Sequence, residues 1–354
     1  MSNKQTQIIT RDHMLSNRQL QALIIVDFLG VLMTTVTSSV TGISREGSWL
    51  YVFLGGVMIA VIMGVAVSSG YKYQGLMGTK IGKLFGFIIF FKILLCGGLW
   101  LRFFSETMSM LLLPKTAVYL ISLLTIYVGF YTGAKGLETK GRLAEILIVL
   151  MFLVVLFVFL LSAKNLNIDN LQPIKLENSL EAIKYTVSMA FGVEFLFLVS
   201  PYVNSNKKTS SAIIAGLILA VVLGGIVAFT VGVFGVVGVI ERRWAVLQIM
   251  DTIDFPLMLL ERQDVILMGF WIITIFGFIS SSVFYGGHIL SKVVAKDEKS
   301  VVMFFVMAVA IFAVSFLPEN LDDVTRLIEK AGIFNLIFNG LIVLVFIFLG
   351  RGKK

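Results

Sequence analysis

The sequence predicts an all-α integral membrane protein of ten transmembrane helices, built as a five-plus-five inverted repeat in which helices 1 and 6 are discontinuous. Hydrophobic residues make up 58% of the 354 residues and charged residues only 14%, and the mean hydropathy is +0.95. These values lie outside the usage of soluble domains. The apolar residues form runs of about 20, long enough to cross a bilayer as helices. In addition, spans that are five apart share sequence features.

The apolar runs also set the domain limits. We expect a cytoplasmic N-terminal segment at 1–18, a single ten-helix transmembrane domain at 19–350 and a cytoplasmic C-terminal tail at 351–354. The predicted spans are 19–39, 49–69, 84–113, 116–133, 143–163, 185–203, 211–239, 265–290, 300–317 and 332–350.

The first span has a well-marked beginning. Ser16 and Gln19 have the spacing of a capping box, and Leu15 and Leu20 occupy the two positions of a hydrophobic staple. About 18 polar residues precede this span, and its apolar run is longer than the core of a signal peptide. We therefore expect no cleaved signal peptide.

Composition argues against several classes of function. The net charge is +8, but the basic residues are scattered over many short loops, which indicates membrane topology rather than nucleic-acid binding. A single cysteine, Cys96, excludes an internal disulfide, and His13 and His288 are too few for a His/Cys metal site. The sequence contains no nucleophile–base pair or phosphate loop. We therefore expect no enzyme, metal or cofactor.

The distribution of Lys and Arg predicts the orientation. With ten spans and the N-terminus inside, 17 of these residues lie in the inside segments and 10 in the outside segments. The positive-inside rule therefore favours cytoplasmic N- and C-termini.

The loop before span 8, ERRWAVLQIMDTIDFPLMLLERQD, is neither a span nor a polar linker. Apolar residues recur in it at helical spacings, which predicts one or two short interfacial helices on the outer surface. Glu261, Arg262 and Asp264 close this loop. They are candidates for an interface or a lid, with solvated surface charge as the simple alternative.

Small residues recur at every fourth position in spans 2 and 7. Such stripes let helix backbones approach closely in lipid, and spans 2 and 7 are five apart, as a repeat requires. The stripes consist of Gly56, Ala60, Gly64 and Ser68 in span 2, and Ala220, Gly224, Ala228 and Gly232 in span 7.

Spans 1 and 6 share a second pattern. Asp27 lies near Gly30 in span 1, and Glu194 lies near Gly192 in span 6, each followed by residues that can bond freed backbone groups. This pattern is typical of discontinuous helices, which in transporters with inverted repeats frame a ligand site at mid-membrane.

Four stretches carry a family resemblance: SNRQLQALI opening span 1, KGLETKGRLAEI entering span 5, FGVEFLFLVSP in span 6, and FPLMLLERQDVILMGFWI before and in span 8. With them, the chain resembles the spore germination permeases, the B subunits of nutrient germinant receptors in endospore-forming bacteria. These belong to the amino acid–polyamine–organocation transporter superfamily. One departure is that the second half of span 1 reads LMTTVTSS, where the family pattern has a proline.

The resemblance implies a ten-helix inverted-repeat fold in the inner membrane of the spore. It also implies a germinant receptor A subunit and a lipoprotein C subunit as partners, and a small nutrient, most often an amino acid, as ligand.

Charged residues inside spans are functional candidates because their burial in lipid is costly. Glu194 could bind a ligand ammonium group, bond the unwound backbone or relay protons. Asp27 could contact the ligand or relay protons, or it could pair with a buried base or be solvated in a vestibule. The predicted ligand-binding set is Gly30, Thr34, Thr35, Phe191, Gly192 and Glu194, and the predicted proton or charge relay is Asp27 and Glu194.

Other intramembrane polar residues have simpler interpretations. Arg102 and Glu106 are four apart on span 3, so we expect a structural ion pair on one helix face. Lys92 could snorkel or pair, with Glu145 as the expected partner. The Ser280–Ser282 cluster could serve a sodium site or bond its own backbone.

Three functions fit these features. The leading hypothesis is a membrane subunit that binds a nutrient and passes a conformational bias to its partners. The alternative is a proton-coupled amino acid transporter that uses Glu194 or Asp27. A third is a structural channel subunit in which the polar residues serve packing alone.

Overall fold

The computed structural model describes residues 14–76, 79–249, 264–292 and 301–350. Within these ranges the chain is helical, apart from loops and an isolated parallel bridge between Leu15 and Val203. The helices are α1 Asn17–Ser44, α2 Ser48–Leu76, α3 Lys80–Leu111, α4 Val118–Ala134, α5 Leu137–Ser162, α6 Ser179–Ser188, α7 Val193–Val199, α8 Lys208–Glu241, α9 Asp264–Leu290, α10 Val301–Val314 and α11 Leu321–Gly350.

Each predicted span coincides with a helix, and span 6 coincides with the pair α6 and α7. In the part of the chain that is described, five helical segments are long and apolar enough to cross a membrane, one of them containing both α1 and α2, and the bent α6–α7 pair makes a sixth. Large apolar side chains stay exposed on the outward faces, such as Leu124 on α4, Leu160 on α5 and Val302 on α10. The protein is therefore an all-α, multi-pass membrane protein, and the exact count of ten spans stays a prediction.

The predicted start of span 1 is confirmed. The Ser16 hydroxyl accepts a hydrogen bond from the backbone N–H of Gln19 at 3.2 Å, and the Gln19 side chain accepts one from the Ser16 N–H at 3.0 Å. These two bonds satisfy donors that lack partners at a helix start.

The predicted interruption of span 6 is present. The α6 helix ends at Ser188, α7 begins at Val193, and the two axes differ in direction by 45°. Gly192 turns the chain with φ of +96°, a conformation that disfavours residues with a Cβ atom.

The predicted interruption of span 1 is wrong, because α1 runs unbroken from Asn17 to Ser44. The hydroxyl groups of Thr34 and Thr35 bond carbonyls of the preceding helical turn, at 2.9 Å to Gly30 and 2.8 Å to Val31. They supplement the intact helix instead of satisfying freed backbone groups.

The small-residue stripes bring α2 and α8 into close contact. A Cβ atom on Gly56 would lie 2.6 Å from the Cβ of Ala220, and one on Gly216 would lie 2.5 Å from the Cα of Ala60. The two backbones therefore approach more closely than larger side chains would allow.

The helices pack as two groups that meet where α1 packs against α9 and are further joined by two bridging helices. The α1 group consists of α1, α2, α6, α7 and α8, and the α3 group consists of α3, α4, α9 and α10. The α5 helix contacts α1 and α9, whereas α11 contacts α6 and α3. In span numbers, α6 and α7 form span 6, α9 is span 8, α10 is span 9 and α11 is span 10. The contacts of span 5 with spans 1 and 8 therefore correspond, five spans apart, to the contacts of span 10 with spans 6 and 3. The contact of span 4 with span 8 corresponds in the same way to that of span 9 with span 3. The packing therefore follows the pattern expected of a five-plus-five repeat.

The loop that follows α8 differs from the interfacial helices expected there. Residues from Trp244 to Ile249 form turns, and the Leu247 and Ile249 side chains are buried in the core instead of lying on an outer surface. The remainder of the loop, 250–263, falls outside the described residues.

Candidate functional site

A buried ion pair lies beside the interruption in span 6. The Nζ atom of Lys92 on α3 lies 2.6 Å from the Oε2 atom of Glu194 on α7, and both side chains are about 98–99% shielded from solvent. Each charge compensates the other where neither is hydrated, so the pair avoids the large cost of an isolated buried charge.

Two asparagines of α11 connect this pair to the end of α6. Lys92 Nζ donates to Asn339 Oδ1 at 3.3 Å, and Asn339 Nδ2 donates to Asn335 Oδ1 at 3.1 Å. Asn335 Nδ2 in turn donates to the carbonyl oxygen of Ser188 at 2.8 Å. Ser188 is the last residue of α6, so a backbone acceptor freed by the interruption is satisfied through the same network. We call Glu194, Lys92, Asn339 and Asn335 the Glu194 cluster.

Aromatic rings cover the interruption. The Phe191 ring lies 6.4 Å from the Trp100 ring, and Trp100 lies 6.1 Å from Phe278, all three being buried. A Cβ atom on Gly192 would lie 3.0 Å from the Phe195 ring. Within the described residues, the indole N–H of Trp100 is buried without a hydrogen-bond partner. A donor of this kind is available to an acceptor that enters the site.

A second buried cluster lies on α1, α5 and α9. The Oδ1 atom of Asp27 lies 3.9 Å from Lys140 Nζ, and the Ser281 hydroxyl donates to Asp27 Oδ2 while accepting from Lys140. Lys140 also donates to the carbonyl of Gly277 at 3.3 Å. Of the alternatives for Asp27, this geometry matches an acid paired with a buried base. We call Asp27, Lys140 and Ser281 the Asp27 cluster.

The three serines at 280–282, for which a sodium site was one alternative, bond to different partners. Ser281 belongs to the Asp27 cluster, Ser280 bonds the Thr132 hydroxyl at 2.7 Å, and Ser282 donates to the carbonyl of Phe278 at 3.0 Å. Their hydroxyl groups therefore do not converge on a common site. The Lys140 ammonium group already lies among the oxygens on this side of α9.

The remaining predicted ligand residues divide between two places. Phe191, Gly192 and Glu194 lie together at the interruption, whereas Gly30 lies where α1 packs against α9, since a Cβ atom there would be 2.1 Å from the Thr274 hydroxyl oxygen. The hydroxyl groups of Thr34 and Thr35 are engaged within α1, as described above. Gly30 therefore has a packing role, and the site centres on span 6.

The Arg102–Glu106 ion pair is present, with 2.8 Å between Arg102 Nη2 and Glu106 Oε1, and Arg102 also donates to the carbonyl of Glu319 at 3.0 Å. The expected Lys92–Glu145 pair is wrong, because Lys92 binds Glu194 and Glu145 instead accepts from the Gln19 amide at 3.5 Å.

Of the three charged residues that close the loop before span 8, only Asp264 is among the described residues. Glu261 and Arg262 lie outside the described residues, and Asp264 is the first residue of α9.

Sequence reasoning missed three residues of the two clusters, Lys140, Asn335 and Asn339, and it missed the specific role of Ser281. A signal existed for the asparagines, because Asn335 and Asn339 are four apart in an otherwise apolar run and so share one face of α11. Lys140 gave no such signal, since it falls in a short basic segment that resembles a topology determinant.

Comparison with known proteins identifies the family. A family model described as "Spore germination protein" (spore permease) matches residues 14–324. The chain is 25% identical to spore germination protein YndE of Bacillus subtilis (strain 168) over 94% of this chain and 95% of that protein. It is 23% identical to spore germination protein A2 of the same organism over 89% of both chains, and 26% identical to spore germination protein KB over 62% of this chain and 61% of that protein. The chain therefore belongs to the spore germination permease family.

Proposed function

We propose that this protein is a membrane subunit of a spore nutrient germinant receptor. It binds a small nutrient, an amino acid, in a mid-membrane site beside the interruption of span 6 and signals to partner subunits. Its partners are an A subunit and a lipoprotein C subunit, and it lies in the spore inner membrane with both termini cytoplasmic. Support comes from the family assignment and from relatives that are named as spore germination proteins. The Lys and Arg distribution supports the orientation.

The observation that carries the proposal is the hydrogen-bonded connection between Glu194 and the backbone of the interrupted helix. A charged ligand group that binds Glu194 or Lys92 weakens their mutual attraction across the 2.6 Å bond, because it supplies either residue with a second charged partner. Through Asn339 and Asn335, this effect reaches the Ser188 carbonyl at the end of α6. Ligand binding therefore alters the contacts that set the geometry of the interruption, which is the differential interaction that a conformational signal requires.

The buried Trp100 indole supplies a second polar group for a ligand. Its N–H donor lies on a ring that contacts Phe191 and Phe278, next to the interruption. An α-amino acid offers an ammonium group for Glu194 and a carboxylate for a donor such as Trp100. Burying both ends against opposite partners satisfies the polar groups on each side.

The test uses spores that lack their other nutrient receptors and carry this gene together with its partner-subunit genes. Dipicolinate release is measured after exposure to a panel of amino acids, sugars and nucleosides. We expect release in response to at least one amino acid, and we expect the response to disappear when this gene alone is deleted. No response to any nutrient in the panel would contradict the receptor function.

The alternative function is proton-coupled amino acid transport by this chain alone. It is favoured by the presence of two buried clusters that contain titratable groups, since such groups often form proton pathways in membranes. Uptake of labelled amino acids by the purified chain in liposomes, with and without a proton gradient, distinguishes the two. Gradient-dependent accumulation would favour transport, whereas binding without accumulation favours sensing.

A further inference from the structure

The two buried clusters use corresponding helices of the two repeats. The Asp27 cluster joins span 1 to span 8 and span 5, through Asp27, Ser281 and Lys140. The Glu194 cluster joins span 6 to span 3 and span 10, through Glu194, Lys92 and Asn339. Spans 1, 5 and 8 correspond, five spans apart, to spans 6, 10 and 3. The same set of three corresponding helices is therefore joined by polar side chains in both clusters.

Both clusters also cross the same boundary within the fold. In each, the acid belongs to the α1 group, a second member belongs to the α3 group, and a third lies on the bridging helix α5 or α11. Both clusters are therefore polar connections between the two groups of helices. In contrast, the Arg102–Glu106 pair lies within α3 and so does not connect Arg102 to the α1 group.

Polar connections across a buried boundary favour one arrangement of the two groups. Parting the groups separates Glu194 from Lys92 and leaves two buried charges without partners. At the Asp27 cluster the same movement removes the Ser281 hydroxyl, which donates to Asp27 and accepts from Lys140, and it leaves buried polar groups unsatisfied. A cluster whose members come from three helices therefore holds those helices in contact, because its polar groups lose their partners when the helices part. Since both clusters connect the same two groups, a movement that opens one strains the other.

We propose that the Asp27 cluster and the Glu194 cluster hold the same two groups of helices together, so that loosening either cluster raises the solvent exposure of the other. The coupling is a property of the resting membrane protein and needs no nutrient. If the two clusters opened independently, the proposed receptor function would still stand. If the receptor function were contradicted, the coupling of the clusters would still stand.

The chain carries its own reporter for this coupling. Cys96 is the single cysteine of the sequence, it is buried, and it lies four residues after Lys92 on α3, about one helical turn away. The rate at which a maleimide labels Cys96 in membranes therefore measures opening beside the Glu194 cluster.

The Asp27 cluster contributes no residue to α3, although Ser282, the residue after Ser281, packs against α3 at Gly97, where a Cβ atom would lie 3.0 Å from the Ser282 Cβ. Asp27 and Lys140 lie on α1 and α5, so substituting them changes no residue of that contact.

The experiment compares maleimide labelling rates of the full-length chain in membrane vesicles. The key variant is Asp27→Asn with Lys140→Met, which removes both charges of the remote cluster together and so leaves no charge unpaired. We expect Cys96 of this variant to be labelled about 5-fold faster than in the wild type, or more, as couplings between distant sites typically produce. The Lys92→Met/Glu194→Gln variant, which opens the neighbouring cluster directly, should also be labelled faster.

Two further variants sharpen the test. Arg102→Gln/Glu106→Gln removes an ion pair that lies within α3, the helix of Cys96, and we expect it to be labelled at the wild-type rate. Ser281→Ala removes only the hydroxyl that joins α9 to Asp27, and we expect a smaller increase in the same direction. If Asp27→Asn/Lys140→Met fails to insert into the membrane, the labelling rate of Ser281→Ala decides the question. Cys96→Ser gives the background.

Wild-type labelling of both Asp27→Asn/Lys140→Met and Ser281→Ala, with faster labelling of Lys92→Met/Glu194→Gln, would overturn the proposal, because the clusters would then open independently. Equal acceleration by the Arg102→Gln/Glu106→Gln control would also overturn it, since any loss of buried charge would then have the same effect.

Discussion

Lys92 and Glu194, separated by 102 residues in sequence, form a buried ion pair with 2.6 Å between Nζ and Oε2. This contact explains how a carboxylate is tolerated within the apolar run FGVEFLFLVSP. The pair also ties α3 to the interrupted span 6, so one interaction serves both charge compensation and the geometry of the candidate site.

The first prediction concerns the stability of this pair. Glu194→Gln alone leaves the Lys92 ammonium group buried without a counter-charge, and we expect it to lower the free energy of unfolding by about 3–5 kcal/mol. Lys92→Met/Glu194→Gln removes both charges and should recover most of that loss. Thermal unfolding in detergent micelles measures both. The Lys92→Met single variant completes the cycle, and a double variant whose loss equals or exceeds the sum of the two single losses would refute the pairing.

Asn335 provides the second prediction. Asn335→Ala leaves the Ser188 carbonyl at the end of α6 without its donor, and we expect a loss of about 1–3 kcal/mol, the cost of an unsatisfied buried acceptor. The matched control is Asn320→Ala, which removes an asparagine that accepts a bond from Asp323 N–H at an exposed helix start. The same thermal measurement applies, and we expect the control to lose about 0.5–2 kcal/mol with its helix cap. An Asn335→Ala variant as stable as the wild type would show that the carbonyl needs no partner.

The third prediction tests the close approach of α2 and α8. In Gly56→Ala, the new methyl group would lie 2.6 Å from the Ala220 Cβ and 2.7 Å from its Cα, so the helices must separate. We expect a loss of about 1–3 kcal/mol from overpacking. Gly42→Ala on α1 is the control, since nothing lies within 4 Å of its new Cβ, and it should gain up to about 1 kcal/mol. Equal melting temperatures for the two variants would count against the α2–α8 contact.

Gly192 supplies the fourth prediction. Its φ of +96° disfavours any residue with a side chain, and the added methyl group of Gly192→Ala would press on the Phe195 ring at 3.0 Å. We expect a loss of about 1–3 kcal/mol, typical of a strained backbone position. Gly340→Ala on α11, which has open space around its new Cβ, is the control. A Gly192→Ala variant as stable as this control would mean that the interruption does not depend on glycine.

The sequence was sufficient to predict features that depend on neighbouring residues. Composition and apolar runs predicted the membrane helices, the Ser16–Gln19 spacing predicted the helix start, and Gly192 beside Glu194 predicted the interruption of span 6. Each of these signals lies within one helical segment, where local geometry decides the outcome.

Features that depend on distant contacts could not be predicted from the sequence. Gly30 and the threonines of span 1 resembled the residues of an interrupted helix, yet Gly30 is required by the packing of Thr274, which lies 244 positions further along the chain. From the sequence, Lys92 could snorkel or pair, with Glu145 as a candidate partner, whereas the partner in the structure, Glu194, lies on a different helix. Pairing of buried charges depends on which helices are neighbours, and hydropathy does not contain that information.

The most direct test of the central claim is the nutrient dose–response of dipicolinate release from spores that carry Lys92→Met/Glu194→Gln as their sole copy of this gene. Spores carrying Arg102→Gln/Glu106→Gln serve as the control, and membrane levels of both proteins are matched. We predict that the nutrient concentration for half-maximal release rises at least about tenfold in the Lys92/Glu194 variant and stays at the wild-type value in the control. Wild-type dose–response curves for every nutrient in the Lys92/Glu194 variant would contradict a ligand site at the interruption of span 6.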